Sequence, residues 1–149
     1  MSKSNQFVLW FTGAIIFFGC SSAHNVPASP KVMAVTGVLR VDTAFDKSSL
    51  NSDIVILQSS VSGDTLWLDV EYSGGCAAHS FELVSKGLWM KSLPPKLSVY
   101  LIHNNHGDAC REVIREKLSF LLHAAQYPGQ RRVRLSVNEI NQNPIEYNY

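Results

Sequence analysis

A chain of 149 residues holds one modest domain, and its 46% apolar content suits an ordinary globular core. Thirteen lysines and arginines against twelve aspartates and glutamates leave a formal charge of +1. That balance excludes nucleic-acid binding by bulk electrostatics, which needs a strongly basic face.

Lys3 precedes an apolar run from Phe7 to Phe18, followed by Gly19-Cys20-Ser21-Ser22. As a helix, a run of about 12 residues would reach roughly 18 Å, short of the roughly 30 Å hydrocarbon core. It therefore reads as a signal peptide over residues 1–19 rather than a permanent membrane span. Phe17-Phe18-Gly19-Cys20 resembles the lipobox of bacterial lipoproteins, with phenylalanines where Leu and a small residue are usual. The resemblance implies that Cys20 is lipidated, becomes the new N-terminus and anchors the protein in a membrane. Ser21 after the cysteine resembles lipoproteins sorted to the outer membrane, which implies a location in the bacterial envelope facing the periplasm. The competing reading is cleavage near Ala23, where Ser21-Ser22-Ala23 has the small-x-small pattern of signal peptidase sites, giving a soluble periplasmic or secreted protein. Both readings remove Cys20 from the thiol count and leave Cys76 and Cys110. In an exported chain an even pair is most simply a disulfide.

Residues 20–50 read as a lipidated N-terminus, a polar and proline-containing tether (SSAHNVPASP) and a poorly defined first strand between Lys31 and Asp42. The domain proper is expected over 51–149. Ile54-Val55-Ile56-Leu57 is a β-branched run, and Ser62-Gly63-Asp64 marks a turn. In the segment that follows, Leu66, Leu68, Val70 and Tyr72 share one face against Thr65, Asp69 and Glu71, the period of a half-buried strand. After Gly74-Gly75, His79, Phe81 and Leu83 share strand parity. Leu88-Trp89-Met90 is a short apolar piece ended by Pro94-Pro95, which exclude a helix there. Leu97, Val99, Leu101 and His103 alternate with Ser98, Tyr100 and Ile102, a further strand.

From Asp108 to Gln126 two periods compete. Cys110, Val113, Ile114, Leu118, Leu121 and Ala125 fit a helical stripe, whereas Leu118, Phe120 and Leu122 alternate. The expectation is a helical turn near Ala109 to Ile114, then a strand. A hairpin from Lys117 to Asn138 would turn at Tyr127-Pro128-Gly129-Gln130, with Val133, Leu135 and Val137 alternating on its second arm. Arg131, Arg132 and Arg134 form a small basic strip, suited to a charged edge or to anionic headgroups or an acidic partner. The fold class expected is mainly β: a small antiparallel β-sandwich or barrel with one short helical turn and one disulfide.

The residues that could carry chemistry gather around the cysteines. A Cys76–Cys110 bridge would close a loop of about 35 residues, for which chain entropy gives roughly 3–4 kcal/mol. His79 and His103 lie on inward parity close to those cysteines, and with Asp108 they are the candidate ligand or metal-binding residues. Cys76-x2-His79 with His103 or His106 and Cys110 would suit tetrahedral zinc, although the second spacing is not a strong finger pattern. The alternative is that the histidines hydrogen-bond the backbone of crosslinked loops. No G-x-S-x-G elbow, H-E-x-x-H helix or phosphate loop is present, so no residue is assigned as catalytic and no cofactor is expected.

The arrangement SGGCxxHxF followed by HxxxGDxC, carried here by Ser73, Gly74, Gly75, Cys76, His79, Phe81, His103, Gly107, Asp108 and Cys110, resembles that of uncharacterised small bacterial exported lipoproteins. It implies a similar domain and brings no activity with it. The expected role is a non-catalytic binding or structural module of the envelope, held to the membrane by its lipid and open to an envelope protein partner. A metal-binding or hydrolytic domain using His79 and His103 is the alternative.

Overall fold

The computed structural model describes residues 35–50, 53–139 and 144–149. The expected signal peptide, Cys20 and the tether lie outside the described residues. Within them the protein is mainly β. Its strands are β1 (Gly37–Val41), β2 (Ile54–Ser62), β3 (Thr65–Gly74), β4 (Ser80–Ser85), β5 (Trp89–Met90), β6 (Lys96–Asn104), β7 (Glu112–Leu121), β8 (Arg132–Val137) and β9 (Ile145–Asn148). Two single-turn 3-10 segments, Lys47–Ser49 and His123–Ala125, complete the regular structure.

The strands form one sheet in the order β2-β3-β7-β1-β4-β6-β8-β9, with β5 paired to β6. β2 and β9, at the two ends of that order, come back into contact and nearly close the sheet into a barrel. Most ladders are antiparallel. β1 runs parallel to both β4 and β7, and β6 runs parallel to β8. The longest antiparallel ladders join β3 to β2 and to β7. Here the two-residue period acts as expected: Leu66, Leu68 and Val70 are fully buried and Tyr72 nearly so. On the other face Asp69 meets Lys117 at 3.3 Å and Glu71 meets Arg115 at 2.8 Å, each directly across the register.

β2 and β3 are joined through Gly63-Asp64, with Gly63 at φ +55°, a conformation that favours glycine in a two-residue turn. The ladder slips between Ile56 and Gln58, which leaves Leu57 half exposed on a bulge. The other end of the barrel is tied by Tyr147. Its ring is fully buried and its hydroxyl donates to Asp64 Oδ1 in the β2–β3 turn.

Three expectations need correction. No helical turn forms near Ala109 to Ile114: the chain is extended from Glu112 and pairs residue for residue with β3, Gly74 opposite Glu112 through Thr65 opposite Leu121. Ten consecutive cross-strand pairs outweigh a local helical spacing, and Val113, which that spacing would bury, is 62% exposed. The Lys117–Asn138 hairpin does not form either. β7 pairs with β3 and β1, whereas β8 pairs with β6 and β9. Between them Leu122 and Ala125 are both fully buried, and Leu122 N–H donates to the Asp64 carbonyl at 2.9 Å. Burying that connection carries the chain across the barrel end instead of letting it double back. Lastly, the poorly defined first strand is β1, set inside the sheet between β4 and β7 with Leu39 buried in the core. The domain therefore includes residues ahead of 51.

Candidate functional site

β3, β4, β6 and the β6–β7 loop converge on one end of the barrel, and each brings one part of the site. The alternation of β6 turns His103 inward beneath Leu101, so that its side chain is 1% exposed. His79 sits immediately before β4, in register with the same end. The loop from Asn105 to Arg111 carries Asp108, and the Cys76–Cys110 disulfide staples it to the β3–β4 loop, with Cα atoms 5.8 Å apart. The expected bridge is present.

Asp108 organises the loop. Its Oδ2 accepts the backbone N–H groups of Cys76 and Ala77, both at 2.9 Å, and its Oδ1 accepts that of Cys110 at 2.8 Å. The same Oδ2 faces His79 Nε2 at 3.2 Å. These donors, the three backbone groups first, hold the carboxyl well below the usual aspartate range. One carboxylate thus satisfies the backbone on both sides of the disulfide.

The histidines continue the chain inward. His79 Nδ1 lies 2.8 Å from His103 Nε2. With Asp108 ionised, His79 donates to it from Nε2, and a single proton bridges His79 Nδ1 and His103 Nε2. His103 Nδ1 then points toward the Asp53 carboxylate, 3.6 Å away. Burial is the first cause that pushes the His103 imidazole below its ordinary titration range, with the Asp53 charge acting in the opposite sense.

Aromatic rings wall the pair. Phe81 stacks on His103 at 5.1 Å with the planes 9° apart, and Tyr72 contacts both imidazoles at 4.8 and 4.9 Å. The Tyr72 hydroxyl donates to Glu116 at 2.7 Å, and burial with that bond pushes its pKa up to about 12. Gly74 makes room for the arrangement. A Cβ there would stand 2.5 Å from His79 Cε1, 2.6 Å from its Nε2 and 3.2 Å from Asp108 Oδ2.

The structure therefore brings together His79, His103, Asp108, Cys76 and Cys110, all named from the sequence. His106 stays outside, on an exposed turn where its Nε2 meets the Ser80 hydroxyl at 3.0 Å. Sulfur atoms of Cys76 and Cys110 lie close to an Asp108 oxygen, but they are bonded to one another and cannot serve as thiolate ligands for zinc. Both ring nitrogens of His79 are engaged, and its side chain and that of Asp108 are 2% and 0% exposed. The sequence reading missed Asp53 and the requirement for Gly74, since neither has a spacing to the histidines. Tyr72 had a visible signal, sharing the buried face of β3.

A second feature lies near β5: an open trough of about 800 Å³ lined by Trp89, Met90, Leu93, Pro95, Tyr127 and Gln130 among others. Trp89 meets Tyr127 edge-on at 5.0 Å.

No protein-family model and no curated protein matches the chain. Solved structures do. A NigD-like immunity protein from Bacteroides caccae superposes with a TM-score of 0.51 at 16% identity, over 76% of this chain and 58% of that protein. A protein of unknown function from Bacteroides vulgatus gives 0.51 at 18% identity, over 77% of this chain and 56% of the other. This chain spans a little over half the length of each. At these identities the likeness is one of fold, shared with these two proteins from Bacteroides.

Proposed function

We propose that the chain is an exported envelope lipoprotein, acylated at Cys20, whose stapled barrel binds or braces a partner and performs no chemistry of its own. The observation that carries this reading is the Cys76–Cys110 disulfide, since such bonds persist in oxidising compartments outside the cytosol. It is supported by the apolar run and Phe17-Phe18-Gly19-Cys20 ahead of the domain. The SGGCxxHxF and HxxxGDxC arrangement fits the same class of small exported lipoproteins. Ser21 favours the outer membrane, with the domain facing the periplasm.

The engagement of buried His79 favours a bracing role over a metal-binding or hydrolytic one. A general base must reach the proton it takes, and a metal ligand must offer a lone pair. His79 has given both nitrogens to Asp108 and His103, with its side chain almost wholly buried. The immunity role in the name of the B. caccae protein is not carried over, because the likeness is one of fold. The test is fractionation of cells expressing the full chain or its Cys20→Ser variant. Loss of the acyl mass together with release from the membrane fraction is expected. Unchanged membrane association of the variant would overturn the anchor.

A further inference from the structure

Of the nine exposed large apolar side chains among the described residues, the two most exposed lie in one segment. Leu88 is 72% exposed, Met90 48% and Leu93 90%, all within the short segment that carries β5 and leads into β6. The segment reads Lys86-Gly87-Leu88-Trp89-Met90-Lys91-Ser92-Leu93-Pro94-Pro95-Lys96. Lysines stand at both ends and in the middle, and no acidic residue interrupts it. The facing wall of the trough is Tyr127 and Gln130, which run into Arg131, Arg132 and Arg134. The two walls are tied together, because Arg134 N–H donates to the Pro95 carbonyl at 2.8 Å and Lys96 pairs with Arg134 in the β6–β8 ladder.

Some of this charge is compensated. Arg132 and Arg134 share Glu146 at 3.9 and 3.6 Å, and Lys96 and Lys86 lie in the fields of Glu139 and Asp46. Among the described residues, Lys91 and Arg131 make no ion pair. Lys91 lies between the exposed Met90 and Leu93, and Arg131 follows Gln130 of the facing wall. The surface is thus a projecting apolar tip with aromatic rings at its base and uncompensated cations around it.

We propose that this segment docks on an anionic lipid bilayer, with Leu88, Met90 and Leu93 seated among the headgroups and Lys91 and Arg131 against lipid phosphates. The chemistry matches on each count. Projecting leucines suit a soft interface better than an enclosed ligand, aromatic side chains settle at headgroup level, and cations are drawn to anionic lipid. Each uncompensated cation near such a surface favours the docked state by on the order of fivefold. The proposal draws on the lipid-anchor reading only in that the anchor holds the domain near a membrane; the contact itself is read from the exposed segment.

The experiment is hydrogen exchange on the full chain recovered from membranes of expressing cells and placed with vesicles of phosphatidylcholine, alone or mixed with phosphatidylglycerol. Amides of residues 86–93 are expected to slow on the mixed vesicles relative to the neutral ones. Lys91→Glu should reverse at least the fivefold share of one cation, and Leu93→Asp should abolish the slowing, while amides of β3 and β7 stay protected in both variants. Equal exchange on the two kinds of vesicle, with the chain bound to both, overturns the docking and leaves the anchor standing. A chain that binds only the mixed vesicles supports docking and counts against the anchor; one that binds neither overturns both. Slowing that rises with chain concentration in the absence of vesicles would replace the bilayer with a second copy.

Discussion

Replacing Gly74 by alanine adds one methyl group to a buried position of β3, and the surrounding geometry decides the cost. The new Cβ would stand 2.5 and 2.6 Å from two atoms of the His79 ring and 3.2 Å from Asp108 Oδ2. Ring atoms cannot give way as the end of a flexible side chain would. His79 is held between Tyr72 at 4.8 Å and His103 at 4.9 Å, so the ring has no open side. Either β3 shifts against β7 or the imidazole leaves Asp108. Overpacking of this kind costs about 1–3 kcal/mol, and the rigid neighbours place Gly74→Ala near the upper end. For a domain of this size that lowers the melting temperature by roughly 10 °C. The assay is thermal and urea unfolding of wild type, Gly74→Ala, His79→Ala and the double variant, followed by circular dichroism. Truncating His79 removes the atoms that the new methyl strikes, so the double variant should be more stable than the sum of the single losses predicts. Additivity within about 0.5 kcal/mol would show that the two positions do not meet and refute the close approach.

Other outcomes follow from the same end of the barrel and from its charges. Cys76→Ala with Cys110→Ala should cost roughly 3–4 kcal/mol in urea unfolding, and the wild type should lose a similar amount in reductant. Burial lowers the His103 pKa from 6.5, so the unfolded chain binds more protons just below that value. Stability should therefore fall as pH drops below 6.5, and His103→Gln should flatten this limb; an unchanged slope would contradict a buried neutral imidazole. The Asp108 carboxyl is held below 3.8, so its contribution is present above that pH and fades as pH falls toward the depressed native value. Asp108→Asn should then remove part of the acid limb seen in unfolding between pH 4 and lower values, where wild type loses stability.

The strands with a strict two-residue period were legible because one face of each meets the core. β3, β6 and β8 bury the alternating residues that the sequence marks, and His103 is inward for the reason Leu101 is. The disulfide was legible from arithmetic and compartment. Partners were not. Nothing local tells β7 to pair with β3 rather than β8, since Leu118 and Phe120 would be buried in either arrangement. Parallel pairing of β1 is set by the closing of the whole sheet. Within the site, the two histidines and Asp108 were visible as types near cysteines, but their order in one hydrogen-bonded chain depends on loop geometry that spacing does not contain. Asp53 reaches His103 from a different strand entry, and Gly74 is needed because two side chains cross above it.

The most direct test of the account is a non-reducing peptide map, by mass spectrometry, of the full chain purified from the cells that export it. The expected products are an N-terminal peptide beginning at an acylated Cys20 and one crosslinked peptide joining Cys76 to Cys110. A chain that begins elsewhere without acyl mass, with Cys76 and Cys110 recovered as free thiols, would contradict the account.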